Sequence, residues 1–180
     1  MKSNLSPFIE RFSSLRRSAL RQAAADLDLP LVQAEILEYL AICNKYSNNM
    51  LAVVEYLGQT KGSVSQSLKR MEENDLIARK ASPDDGRAIQ LSLTASGRKC
   101  YQAIKKALPV VETNDTRVEK SLTTLLRDLQ NASGSRGFSI CHTCRYNETI
   151  DDTRFRCGLT GEPLTRTDIQ KICREHEYSA

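Results

Sequence analysis

Four cysteines near the C-terminal end of the chain, Cys141, Cys144, Cys157 and Cys173, follow the spacing C-x2-C-x12-C-x15-C. Two thiols three positions apart can present both sulfurs from one tight turn, about 2.3 Å from a tetrahedral ion, so the pair in CHTC is a strong zinc-ligand signal. The second half is weaker, because no second C-x-x-C follows. His176 stands three residues beyond Cys173 and is an alternative fourth ligand that would release Cys157. All-thiolate shells are common in structural zinc sites, which favours the four cysteines. The segment 138–180 has few large apolar residues, and so short a piece seldom folds on its own core without a staple. A structural Zn2+ would supply that cohesion. The excess negative charge of four thiolates could be offset from behind the ligands by Arg145, Arg154, Arg156 or Arg174. Equally, those arginines could pair with the seven acidic residues between positions 136 and 180.

The same residues argue against catalysis. A catalytic zinc keeps an open coordination position and a nearby general base, whereas four protein ligands close the shell. His142 is followed by Thr143 and Cys144, not by the H-x-E element of the zinc deaminases. A thioredoxin-like redox pair belongs beside a βαβ pattern, which the sequence does not show. No enzymatic activity is expected. Cys43 and Cys100 lie among apolar neighbours in helical stretches and read as buried small hydrophobes. As oxidant-sensing thiols they would need a setting that lowers their pKa, and none is evident.

With 180 residues, 40% hydrophobic and 27% charged, the chain has room for one ordinary domain plus a small appendage. No apolar run approaches the ~20 residues of a bilayer-spanning helix, and the N-terminus lacks the apolar core and cleavage site of a secretory signal. Cytoplasmic residence with no membrane partner is expected, and in that reducing setting the cysteines are not a disulfide framework. The net charge of +4 permits an anionic partner without demanding one. Residues 59–100 carry eight Lys or Arg against five Asp or Glu, while residues 136–180 carry seven of each. Any basic face belongs to the middle of the chain.

Apolar residues recur at helical spacing from residue 6 to about 27, and again in LVQAEILEYLAIC after Pro30. NKYSNN reads as a loop, and MLAVVEYLG as a short helix ending on Gly58. In SVSQSLKRMEEND, Val64, Leu68 and Met71 form one apolar face, leaving Ser63, Gln66, Ser67 and Arg70 toward other faces. LIARK and AIQLSLT read as two strands joined at SPDDG. A helical pattern then runs from Ala95 to about Asn131, kinked or divided by Pro109, with Val118, Leu122, Leu125 and Leu129 as its second apolar stripe. The fold expected is mainly α with a small β-hairpin wing. It divides into a domain over 1–131, a linker NASGSRG of which 132–137 lie beyond that domain, and a zinc-binding module over 138–180.

A short helix, a turn, an amphipathic helix and a hairpin follow in the order of a winged helix-turn-helix. The run LAVVEYLGQTKGSVSQSLKRMEENDLIARKASPDDGRAIQLSLTASGRK resembles the core of the multiple-antibiotic-resistance regulator (MarR) family of bacterial transcription factors. The resemblance spans about residues 8 to 130 and is most specific over DGRAIQLSLTASG, where Asp85 and Arg87 match the family's wing motif. It implies a homodimer on double-stranded DNA, with intertwined terminal helices, a recognition helix in the major groove, and Arg87, supported by Asp85, in the minor groove. Where many relatives carry arginine on the recognition helix this chain has Gln66, which can pair bidentately with adenine but adds no charge. Ser63, Ser65, Gln66 and Lys69 are the candidate base contacts. Lys61, Arg70, Arg79 and Lys80 are candidate phosphate contacts, with Arg70 the weakest because it could instead salt-bridge within the core.

The function expected on this basis is a transcriptional regulator, in the repressor sense, that binds a pseudo-palindromic operator as a dimer. The sequence leaves open whether a small aromatic effector, an oxidant or zinc itself is the signal. Two other readings stand beside it: a redox- or metal-responsive regulator using its cysteines, and a protein-interaction adaptor built on the zinc module.

Overall fold

The computed structural model describes residues 4–81 and 89–179. Six helices come in chain order: α1 (Ser6–Ala25), α2 (Leu31–Ile42), α3 (Met50–Leu57), α4 (Lys61–Glu73), α5 (Ala95–Ala107) and α6 (Thr116–Ser133). Between α4 and α5 lie strands β1 (Ile77–Ala81) and β2 (Ile89–Leu93), paired antiparallel with Ile77 opposite Leu93 and Ala81 opposite Ile89. The expected SPDDG turn, with Asp85 and Arg87, lies outside the described residues.

The local chemistry accounts for most boundaries. Asn49 caps α3 by accepting from the Ala52 N–H, Thr60 caps α4 through the Ser63 N–H, and Thr94 caps α5 through the Gly97 N–H. Each cap satisfies a donor that the first helical turn leaves orphaned. Gly58 ends α3 and Gly134 ends α6 at φ of 61° and 63°, the left-handed conformation in which a side chain is strained. Around Pro109 the helical pattern does not merely kink: residues 108–115 are non-helical, and α6 begins afresh on Asp115, whose carboxylate accepts from the Arg117 N–H.

Helix α2 is the central rod, packed against α1, α3, α4, α5 and β2. Ala34, Ile36, Leu37 and Tyr39 on α2 meet Ala52 and Val53 on α3, Val64, Leu68 and Met71 on α4, and Ile104 on α5, all essentially inaccessible to solvent. Burying side chains of this size stabilises the fold by roughly 1.5–3 kcal/mol for each of the larger ones. The amphipathic face expected of α4 is therefore seated in the core. Ser67 is seated with it, buried to 8% exposure, contrary to its expected outward placement. It stands three residues after Val64 and four before Met71, which is the same stripe of the helix.

The C-terminal segment adds short strands: β3 (Ser139–Ile140) pairs with β7 (Ile172–Cys173), and β4 (Asn147–Thr149), β5 (Phe155–Cys157) and β6 (Pro163–Leu164) form a three-stranded sheet. The expected linker is partly helical, since α6 continues through Ser133. Nor does the segment stand apart. Phe138 belongs to the main core cluster and packs edge-on against Tyr39 and Tyr56 at ring-centroid distances of 6.4 and 5.3 Å. Residue 172 bridges to Cys43 at the end of α2, and the Asn44 N–H donates to the Ile172 carbonyl at 2.9 Å.

Candidate functional site

Two regions carry the residues singled out above. On α4, successive side chains turn by about 100°, so with Val64, Leu68 and Met71 in the core, Gln66 and Lys69 fall on the opposite side. Ser65, Gln66, Lys69 and Arg70 are exposed, as are Lys61, Arg79 and Lys80, while Ser63 is half-buried beside the Thr60 cap. Arg70 is thus on the surface and not within the core. Two of the expected cations already face carboxylates: Arg79 Nε lies 2.9 Å from Glu72, and Lys69 Nζ lies 3.9 Å from Glu73. These exposed pairs are worth little in water and leave both cations free to exchange partners with a phosphate. β1 and β2 follow α4 directly, its end turned by Asp75 at φ 52°, with the Leu76 N–H donating to Met71 O at 2.8 Å.

The second region is a cavity of about 370 Å³ whose wall includes Cys141, Cys144, Cys157 and Cys173, together with Asn44, Lys45, Tyr46, Asp168 and Lys171. All six cysteines are free thiols. Two of the four sulfurs accept backbone N–H groups, Cys144 from Glu177 at 3.5 Å and Cys173 from Glu175, and Cys173 is also hydrogen-bonded by the Asn44 side chain. Burial nonetheless outweighs these donors at Cys173, whose pKa is raised, although the donors by themselves favour a thiolate. At Cys141 burial first, and then negative charge on Cys173, Cys144, Cys157 and Asp168, push the thiol up to about 12. Four thiolates here would repel one another unless a cation stood among them. As they stand, no group of three or more His, Cys, Asp or Glu among the described residues could hold a metal ion. The four thiols share one cavity without closing around a common point.

His176 is placed differently. It is 4% exposed and does not line the cavity. Its Nε2 meets Thr143 Oγ1 at 2.9 Å, its ring stands edge-on to Tyr178, and burial holds its pKa below the ordinary histidine value. The arginines expected behind the ligands go to carboxylates instead: Arg145 to Glu177, Arg154 to Asp151, Arg156 to Glu148, and Arg174 to Glu55 and Glu175. The cations in the cavity wall are Lys45 and Lys171, and the sequence offered no sign of either. Cys43 is buried, with its thiol pushed up to about 12 by burial, so it is a poor nucleophile at neutral pH. Cys100 is half-buried.

The sequence also gave no sign of the contacts that join the two regions. Asn44, Lys45 and Tyr46, from a stretch read only as a loop, form part of the cysteine cavity, and Arg174, one position past Cys173, makes a bidentate ion pair with Glu55 on α3 at 2.6 and 3.0 Å. No local pattern announces a contact between residues more than a hundred positions apart.

α3, α4 and the β1–β2 hairpin together make a winged helix-turn-helix. Residues 27–88 match the sequence model of the MarR family. Among solved structures, a MepR mutant from a multidrug-resistant S. aureus clinical isolate matches with a TM-score of 0.54 at 22% identity, covering 72% of this chain and 100% of that one. A second S. aureus MepR mutant gives 0.50 at 23% identity, covering 71% and 100%. A third, bound to an oligodeoxyribonucleotide, gives 0.48 at 23%, covering 72% and 100%. The first two likenesses concern the fold, and they leave more than a quarter of this chain without a counterpart. No curated protein sequence matches. No helix among the described residues is long and apolar enough to cross a membrane.

Proposed function

We propose that this protein is a DNA-binding transcriptional regulator that acts as a homodimer and holds a structural zinc ion on Cys141, Cys144, Cys157 and Cys173. The observation that carries the reading is the construction of α4. Its apolar stripe is locked into the core by α2 and α3, so Ser65, Gln66 and Lys69 are displayed outward on a rigid rod next to a hairpin. An α-helix fits the major groove of B-DNA, and a side-chain amide such as that of Gln66 can read adenine there. Lys61, Arg70 and Lys80 around it suit phosphate oxygens. The match of residues 27–88 to the MarR family supports the same reading.

A second copy is supported by what one chain leaves uncovered. Phe8, Phe12 and Leu15 on α1, and Val118, Leu122, Leu126 and Leu129 on α6, are all more than 40% or about 40% exposed, and α6 has no buried residue at all. Apolar surface of this extent on two helices marks an association face. Pairing along it would set two α4 helices for half-sites one DNA turn apart, about 34 Å.

The test is selection of fragments from the host genome by the purified protein. Recovery of a shared inverted repeat, bound less tightly as salt rises, is the expected result. Retention of DNA without sequence preference would favour the interaction-adaptor reading instead. Zinc content of one ion per chain, lost in a variant with Cys141 and Cys144 both replaced by serine, is expected from the cysteine cavity.

A further inference from the structure

Residues 44–49 are held from both sides. From the C-terminal segment, the Cys173 thiol is hydrogen-bonded by the Asn44 side chain, the Ile172 carbonyl accepts the Asn44 N–H at 2.9 Å, and the Arg174 N–H donates to Ser47 Oγ at 2.8 Å. Ser47 Oγ in turn donates to Asn44 Oδ1 at 2.7 Å, and Ser47 O accepts the buried Tyr39 hydroxyl at 2.7 Å. On the other side, the Asn48 carbonyl accepts the N–H of Leu91 on the wing strand β2 at 2.6 Å, and Asn49 is the N-cap of α3. The Arg174–Glu55 ion pair runs alongside, from the residue after Cys173 to the middle of α3.

We propose that the cysteine cavity and the DNA-reading elements are one coupled unit, with residues 44–49 as their shared wall, so that zinc on the cysteines strengthens DNA binding and DNA tightens the hold on zinc. This rests on the reading above, in which the cysteines take the ion and α4 with the wing takes DNA. The physical case is one of leverage at short range. The strands of the C-terminal segment are only two or three residues long, too short a ladder to fix β7 by themselves. An ion joining Cys173 to Cys141, Cys144 and Cys157 pins β7, and β7 pins Asn44 and Ser47. The α3 cap and the β2 anchor are then preset, so DNA binding no longer has to order them. The coupling must be reciprocal, because it is an equilibrium between two binding events on one molecule.

The test uses the full chain, Zn2+, and a fragment recovered by the genomic selection. Fragment affinity is measured on the zinc-loaded and the chelator-stripped protein, and zinc affinity by competition with a chromophoric chelator, with and without the fragment. Stripping is expected to weaken fragment binding on the order of 10-fold, and the fragment to tighten zinc by the same factor. Glu55→Gln, which breaks the parallel ion pair away from the cysteines, should still bind one zinc per chain while both factors shrink. Ser47→Ala, which removes the acceptor of the Arg174 N–H, serves the same purpose should Glu55→Gln not fold. Equal fragment affinities in the loaded and stripped states, or tighter binding on stripping, overturn the coupling while the proposed function stands. Loss of binding accompanied by loss of helical circular dichroism also overturns it, since zinc would then act on stability alone. Full factors retained in both variants overturn the role of residues 44–49. Failure to recover any fragment, or to bind zinc, sinks the proposed function and the coupling with it.

Discussion

Gln66 and Gly97 show how much a single side chain decides. Gln66 stands opposite the buried stripe of α4, and nothing in the core depends on it. Gln66→Ala should therefore leave thermal stability unchanged and reduce preference for the recovered operator by about 1–3 kcal/mol, read as the ratio of specific to non-specific affinity. An unchanged ratio would remove Gln66 from the reading surface. Gly97 is the opposite case. A Cβ built there would lie 1.9 Å from the carbonyl oxygen of Leu76, where α5 starts against the turn after α4. Backbone cannot yield as a side chain does, so Gly97→Ala is expected to destabilise the fold by at least about 1–3 kcal/mol, measured by chemical denaturation. Gln66 could be placed from helical spacing. The role of Gly97 could not, because the atom it would strike belongs to another element.

At the scale of elements, α1 and α6 are helices whose sequence periodicity was clear but whose partner was not. The stripe of Phe8, Phe12 and Leu15 was legible, yet only Leu20, Ala23 and Ala24 at the far end of α1 are buried within one chain. On α6 the stripe faces a groove of about 740 Å³ shared with Tyr56, Phe138 and Ile140. Leu122→Glu places a charge on that apolar face, and burying an unpaired charge at an interface is costly. Under the proposed dimeric, DNA-binding function, the variant is expected to sediment as a monomer at concentrations where the wild type sediments as a dimer, with its helical signal retained, and to lose most of its affinity for the recovered fragment. A dimer of unchanged strength would mean that α6 is not part of the association face. Periodicity separates the apolar side of a helix from the polar side, but it does not say which body covers it.

For the whole molecule, the C-terminal segment is welded to the helical body through Phe138, the Asn44–Ile172 contact and the Arg174–Glu55 pair. If the cysteines hold zinc as proposed, its removal by a chelator is expected to lower the melting temperature and to raise amide hydrogen exchange first in residues 138–179, then in residues 44–49, with α2 protected longest. Exchange confined to residues 138–179 would show that the segment loosens alone. The contact between the helical body and the C-terminal segment was not legible, because NASGSRG looked like a spacer by composition while its first residues finish α6.

What the sequence determined by itself were the features set by near neighbours: the helical stretches from apolar spacing, the end of α3 at Gly58, the α3–α4–hairpin order, and the CHTC turn. Those depend on residues a few positions apart, whose preferences are expressed locally. Only the tertiary structure decided that Cys157 and Cys173 share a cavity with CHTC, that His176 faces Thr143 instead, that Ser67 is buried, and that Asn44 lies against Cys173. Such pairings bring together residues separated by tens to more than a hundred positions. They are selected by how whole elements pack once the core closes, and no single segment encodes that choice.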